Sequence, residues 1–377
     1  GNLMKTHCLA SEAIAGWPKT SPADPFVVGY FVGEGIGAEI VPPALELLEA
    51  VCEKFGRKID CRKGGLIGKP AIVKAGKALT DEAIDFCSEI FSRQGAILCG
   101  PGGSRFVYEL RARFDLYCKF TPLVPSPALK DTGCLRESHL EDVDILAVRE
   151  NTGGLYFGES AAATDEKGDK LVSHRFGYRA SQVQRILASA CIAAGKRRGK
   201  LCVTTKPGGI PSISELWQDC AHQVCRDARI DLTVLEIDNA VYQLIANPRA
   251  FDVVVSPNMF GDVLADAGAL LLGSRGMSYS GNFGAGGKAV YQTAHGAAYD
   301  LAGSDRANPV GQILSVALML RESLGLPEAA NLVIRSVDAV LDRGFRTADI
   351  ASGKSVVVGT KEMSKRILET VIAGDNP

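Results

Sequence analysis

The sequence lacks any apolar run near the roughly 20 residues that a membrane span needs. Its first 25 residues also lack the compact apolar core of a secretory signal. Neither a membrane protein nor an exported one is expected, and the expected location is cytoplasmic. There is no charge excess either: 42 Lys plus Arg stand against 43 Asp plus Glu, for a formal net charge of −1. A chain this balanced has no global basic field for nucleic acid and is no acidic tail protein. No Cys-x-x-Cys pair occurs among the 11 cysteines. An odd, scattered set predicts free, mostly buried thiols in a reducing compartment. His222 and Cys225 are three apart, but no second pair completes a zinc site. Internal repeats and low-complexity segments are missing as well, which excludes a solenoid.

What remains is an ordinary globular composition, 46% hydrophobic and 23% charged, on 377 residues. That length suits two domains with a large core. Residues 1–24, with Trp17-Pro18 and Ser21-Pro22, read as a loose arm. From Pro25 onward, short apolar β-rich runs alternate with longer amphipathic stretches. The runs are Phe26–Val32, Gly95–Cys99, Asp144–Val148, Lys200–Thr205, Asp231–Ile237 and Phe251–Ser256. They look like buried parallel strands, so the class is α/β. Gly273 to Gly287, the most Gly-rich region, reads as a long surface loop.

Several of these strands end in a chemically capable group: Arg149, Lys206, Asp238, then Asn258, Asp262 and Asp266. Ligands in open α/β sheets bind beyond the carboxyl ends of strands, so four such ends in succession suggest one site. Asp262 and Asp266 are four apart in a segment that should be helical, and share a face. One reading is a solvated acidic face. The other is a Mg²⁺ or Mn²⁺ site that offsets the repulsion, with Asp238 as a third oxygen ligand. Gly33-Glu34-Gly35-Ile36-Gly37 resembles a phosphate loop, but Ala38 and not glycine holds the third glycine position of G-x-G-x-x-G. A tight strand-to-helix turn is the alternative, and a Rossmann site is rejected on this motif. Arg111 and Arg113 share a segment with Leu110 and Phe114, where a fork onto carboxylates competes with a solvated helix.

These residues together resemble the isocitrate/isopropylmalate dehydrogenase family, the metal-dependent β-decarboxylating dehydrogenases, from about Phe26 to about Val358. Asn258-Met259-Phe260-Gly261-Asp262-Val263-Leu264-Ala265-Asp266 is similar to the family's signature after its metal-site strand. His295-Gly296-Ala297-Ala298-Tyr299-Asp300-Leu301-Ala302-Gly303 and Ala307-Asn308-Pro309 resemble its cofactor loop. Arg149-Glu150-Asn151-Thr152-Gly153-Gly154-Leu155-Tyr156-Phe157-Gly158 resembles the segment with its substrate arginine and catalytic tyrosine.

The resemblance implies an isopropylmalate dehydrogenase-like two-domain α/β fold, not Rossmann, with the active-site cleft between domains. Residues 25–116 plus 274–377 would form the cofactor-side domain, and 117–273 the dimerisation and metal-site domain. It implies that Asp238, Asp262 and Asp266 hold Mg²⁺ or Mn²⁺, with Asp238 and Lys206 supplied by the other subunit of a homodimer. Lys206 would take the substrate hydroxyl proton and Tyr156 would protonate the enol. Arg111 and Arg149 would grip substrate carboxylates, and Arg105 would read the variable substituent. His295, Asp300 and Asn308 would contact the nucleotide, with Asp300 favouring NAD over NADP. The expected substrate is a small-molecule 3-substituted malate, 3-isopropylmalate-like. Isocitrate, homoisocitrate and tartrate stay open, as do a non-catalytic regulatory paralogue and a plain ligand-binding protein. Three positions depart from the family pattern: Thr121 stands for a second arginine, Gly208 for an asparagine, and Tyr299 for a proline. Arg105, Arg113 and Lys119 are candidates for the missing charge.

Overall fold

The computed structural model describes residues 10–226 and 228–374. In chain order its longer strands are β1 Phe26–Phe31, β2 Ile59–Lys63, β3 Ala96–Cys99, β4 Cys118–Leu123, β5 Ile145–Glu150 and β6 Glu159–Thr164. They continue with β7 Lys170–Arg175, β8 Lys200–Thr205, β9 Asp231–Glu236, β10 Val253–Ser256, β11 Tyr279–Phe283 and β12 Ala289–Thr293. Ten of them form one sheet in the order β2-β1-β3-β12-β11-β4-β5-β10-β8-β9. The outer strands pair in parallel. The centre is antiparallel, through β12–β11, β11–β4 and β4–β5. The expected α/β class holds, and this antiparallel seam separates the sheet from an all-parallel Rossmann arrangement.

The apolar runs are continuous because both faces are covered. On β1, Phe26 and Val28 enter one core while Val27 and Phe31 enter another. On β3, Ala96 and Leu98 divide from Ile97 and Cys99 in the same way. Successive strand side chains point to opposite faces, so both parities must be apolar. The helix Gly37–Lys54 supplies part of the first core with Ile40, Val41, Ala44, Leu47, Leu48 and Val51, a stripe at helical spacing.

Two expectations are corrected. The Gly273–Gly287 region is not a surface loop, because it contains β11, which lies buried in the middle of the sheet. Gly281 is required there: a Cβ would lie 2.6 Å from the ring of Phe283. The N-terminal stretch, described from residue 10, is not loose either. Ala10, Ala13 and Ile14 are buried, the Ala10 amide donates to Glu322 at 2.5 Å, and Trp17 meets the Phe283 ring edge-on at 5.9 Å. Residues 1–9 lie outside the described residues. Of the ten described cysteines, eight are buried. No helix among the described residues is long and apolar enough to cross a membrane.

A buried ion pair ties the strands that carry the site. Arg197 Nε donates to Asp252 Oδ1 at 2.8 Å, and both side chains are fully buried. Arg197 also reaches Asp144 at 2.9 Å, and Asp252 accepts from the Arg198 amide at 2.9 Å. Removing one member of a buried pair strands the other charge. Asp252→Ala is therefore expected to cost about 3–5 kcal/mol, measured by urea unfolding, whereas Asp60→Ala on a half-exposed pair should cost under about 1 kcal/mol.

Candidate active site

The strands β5, β10, β8 and β9 are neighbours and run parallel. Their carboxyl ends therefore align, and the residues that follow them line one edge. Arg149 stands near the end of β5, Asn258 opens the helix after β10, Lys206 follows β8, and Asp238 lies in the first turn after β9. The helix Asn258–Gly268 carries Asp262 and Asp266 as expected. It approaches β5 closely because residue 261 is glycine: a Cβ there would lie 2.9 Å from the Arg149 side chain.

Asp262 is the hub. Tyr156 donates its hydroxyl proton to Oδ2 at 2.7 Å, and Arg149 Nη1 lies 3.3 Å from Oδ1. Burial, then the hydrogen bond to Asp262, pushes the Tyr156 phenol well above the ordinary tyrosine range. Arg149 Nε donates to Asn258 Oδ1 at 2.9 Å, while its Nη2 is buried without a partner among the described residues.

The loop carrying Tyr156 is fixed from below. The buried Glu150 carboxylate accepts from the amides of Thr152 and Gly153 at 2.9 and 2.7 Å. Burial raises its pKa, and those bonds oppose the rise. Tyr178 accepts from the Asn258 amide at 2.9 Å, and Asn258 Nδ2 donates to the Gly153 carbonyl at 2.9 Å. Gly154, at φ +76°, leaves room for Tyr178, whose hydroxyl oxygen would lie 2.4 Å from a Cβ there. The sequence reading did not single out Glu150 or Tyr178 as support. The Gly-Gly pair was the available signal.

Two more cations sit beside Arg149. Arg111 is buried rather than on a solvated helix face. Its pKa falls to about 9, first through burial and then through the charge of Arg149. Lys119 lies opposite Arg149 in the β4–β5 pairing. Burial, then Arg111 and Arg149, pushes its ammonium well below the ordinary lysine range, with Asp262 opposing. A cavity of about 230 Å³ is lined by Lys119, Thr121, Arg149, Ser256, Asp262 and Asp266, among others. Arg105 lies outside it, exposed, with its guanidinium 5.0 Å from the centre of the Tyr108 ring. Its Nη1 donates to the Tyr156 carbonyl at 3.3 Å.

The remaining acids have their own partners. Arg275 bonds both Asp266 oxygens at 2.8 and 2.9 Å, which lowers the Asp266 pKa. Lys206 Nζ donates to Asp238 Oδ1 at 2.9 Å; the bond lowers the Asp238 pKa and raises that of Lys206. Arg149 and Arg275 offset the repulsion between Asp262 and Asp266. Within the single chain the described residues contain no group of three or more His, Cys, Asp or Glu able to hold a metal.

The Gly33–Gly37 segment is a structural junction. Gly33 and Gly35 have φ of +82° and +56°, and a Cβ on Gly35 would lie 2.1 Å from the Ala297 carbonyl oxygen. The Ile36 amide donates to that oxygen at 2.9 Å. Buried Glu34 accepts from the Lys69 amide at 3.0 Å, from the Tyr299 hydroxyl at 2.6 Å, and from the Gly103 amide. In the loop after β12, His295 Nδ1 donates to the Gly296 carbonyl at 3.0 Å, and Nε2 is left buried as an unpartnered acceptor. Burial lowers the His295 pKa and keeps the ring neutral. Asp300 is exposed. Asn308 is buried, accepting from the Val310 amide at 2.9 Å and donating to Asp349 at 3.1 Å.

The chain with this phenol on a helix-borne aspartate and these buried cations is a decarboxylating dehydrogenase acting on a CH–OH group. The chain belongs to the isocitrate/isopropylmalate dehydrogenase family, whose model matches residues 27–367. It is 38% identical to a 3-isopropylmalate dehydrogenase of Carboxydothermus hydrogenoformans, covering 93% of this chain and 96% of that one. It is 36% identical to a 3-isopropylmalate dehydrogenase of Gloeobacter violaceus, covering 91% and 97%. The isocitrate dehydrogenase structure from Methylococcus capsulatus superposes with a TM-score of 0.81 at 28% identity, covering 92% of this chain and 99% of that one.

The hub predicts a titration. Asp262→Asn removes a charge and a strong acceptor, so the Tyr156 ionisation midpoint should fall toward the ordinary value of about 10. Ultraviolet difference titration against Tyr156→Phe measures it.

Proposed function

We propose that this protein oxidises a 3-substituted malate, 3-isopropylmalate or a close analogue, with NAD as acceptor and Mg²⁺ or Mn²⁺ as cofactor, and releases the β-carboxylate as CO₂. The observation that carries the reading is the contact of the Tyr156 hydroxyl with Asp262, 2.7 Å long, beside three buried cations. The donor set fits a hard divalent cation: Asp262 and Asp266 offer oxygens from one helix face, with side chains 43% and 52% exposed. The Asp266–Arg275 pair is exposed, which makes it weak and displaceable. In this reading Asp238 of a second copy completes the set. When bound, the cation would polarise the substrate hydroxyl and the later carbonyl, and NAD would accept the hydride.

The chain's own residues then have distinct tasks. Arg149 and Arg111 hold carboxylates of the substrate. Lys206, freed from Asp238 and facing the neighbouring site, takes the hydroxyl proton. Tyr156 keeps its proton at neutral pH and supplies it after CO₂ has left. Neutral His295 presents Nε2 as an acceptor to the nucleotide. The exposed Asp300 carboxylate would bond ribose hydroxyls and repel a 2′-phosphate, which favours NAD. Asn308, tied to Val310 and Asp349, shapes the wall of the nucleotide site. Arg105, beside Tyr108 and Phe157, reads the variable substituent at the rim.

A homodimer with shared sites is part of the proposal. The β6–β7 ribbon exposes every residue, including Leu171 and Val172. A two-stranded ribbon without cover is marginal in water, and a second copy would cover it. An apolar cavity of about 180 Å³ near Ile210, Ile213, Met259 and Phe260 supports the same reading. We place the division between the two domains at the β4–β11 seam, and the many buried cysteine side chains favour a reducing, cytoplasmic setting.

The test is NADH formation across 3-isopropylmalate, isocitrate, homoisocitrate and tartrate. Activity with Mn²⁺, its loss in chelator, and a fall of about 10²-fold or more in Tyr156→Phe are expected. Silence across the panel from a protein that binds NAD and Mn²⁺ would instead leave a non-catalytic paralogue. In Arg105→Ala, the order of preference among the four should change while the rate with the smallest substrate holds.

A further inference from the structure

Ten residues after Arg111 the chain carries Thr121 in place of an arginine. The pocket therefore has a hydroxyl where a forked cation would stand. Of the three candidates for the missing charge, two are elsewhere. Arg113 is exposed and lies over the Phe114 ring at 5.3 Å. Arg105 is exposed over Tyr108, outside the cavity.

Lys119 differs on every count. It precedes Thr121 by two residues on β4, so both side chains leave the same face of the strand. Both line the cavity that also holds Arg149 and Asp262. Lys119 is only 8% exposed, and neither a hydrogen bond nor an ion pair engages its ammonium among the described residues. Arg149 Nη2 is likewise buried and unsatisfied. Two cationic side chains, Lys119 and Arg149, thus line one cavity, and Arg111 adds a third buried charge beside them. Asp262, the acid whose charge opposes the Lys119 shift, is already engaged by Arg149 and Tyr156. Buried unpaired cations are costly, and a protein keeps them where a bound anion completes them.

Resting on the dehydrogenase reading above, we infer that Lys119 is a substrate-binding residue that replaces the arginine absent at 121, its ammonium sharing a malate carboxylate with Arg149 Nη2. The exchange alters selectivity. An ammonium is a point charge on a flexible four-carbon stem, so it accepts a carboxylate in more orientations than a planar fork does. Thr121 leaves open the volume that an arginine stem would fill. The site therefore demands a dianionic malate core and tolerates variation in how its substituent turns that core.

The experiment uses the full chain with NAD and Mn²⁺. In Lys119→Met, kcat/KM for the best malate of the panel falls at least about thirtyfold, mostly through KM. KM for NAD stays constant, and Tm holds or rises, because a buried like charge has gone. Adding Thr121→Arg to Lys119→Met returns roughly tenfold or more of the loss. A Lys119→Met enzyme within about threefold of the parent (well under the cost of losing a buried charge partner), or one whose NAD KM rises as much as its malate KM, overturns the assignment. Should the parent turn over no malate, the dehydrogenase reading fails separately. Lys119 is then judged by calorimetry with D-malate and Mn²⁺. Affinity weakened at least about thirtyfold in Lys119→Met upholds it, and equal affinity overturns it.

Discussion

One carboxylate organises the candidate active-site edge of this protein. Asp262 accepts the Tyr156 hydroxyl on one oxygen and lies within 3.3 Å of Arg149 on the other. A phenol and a buried guanidinium are thereby held at a fixed separation by a side chain rooted in a helix. The helix reaches β5 because Gly261 presents no Cβ to Arg149. Asn258 bonds Arg149 from one side and Gly153 from the other. Strand, helix and loop are fastened to one another through four polar side chains, and the chemistry inherits that rigidity.

Much of this was legible in the sequence. Apolar runs marked the strands, because a strand covered on both faces must be apolar at both parities. The ends of β5, β8, β9 and β10 were legible for a related reason: charged groups directly after buried strands are conspicuous. Their adjacency was not, since the order β5-β10-β8-β9 is set by crossovers that no local pattern encodes. The spacing of Asp262 and Asp266 gave a shared helical face, and the helix is there. Their arginine partners were hidden, because Arg149 and Arg275 reach them only through tertiary packing.

The misreadings have physical causes too. Glycine and serine in Tyr279–Phe283 look like loop composition, yet β11 needs Gly281 beside the Phe283 ring and buries polar Ser280 and Asn282 in mid-sheet. Asn282 accepts from Asn151 at 2.9 Å, which satisfies a group that composition alone would send to the surface. Lys119 was visible as a charge but not as a buried one. Burial of a lysine in a strand is decided by the strands on either side, here β5 and β11. The N-terminal stretch lacked periodicity because its anchorage rests on a few contacts, to Glu322 and Phe283, rather than on a repeating face.

The junction at Gly35 bears on how the molecule can breathe. The loop that follows β12 is pinned to the end of β1 by the Ala297 carbonyl, by the Tyr299 hydroxyl on Glu34, and by the absence of space for even a methyl group. A segment clamped in this way travels with the sheet edge as one rigid piece. Any opening that admits a bulky ligand is then left to parts of the wall outside this clamped edge.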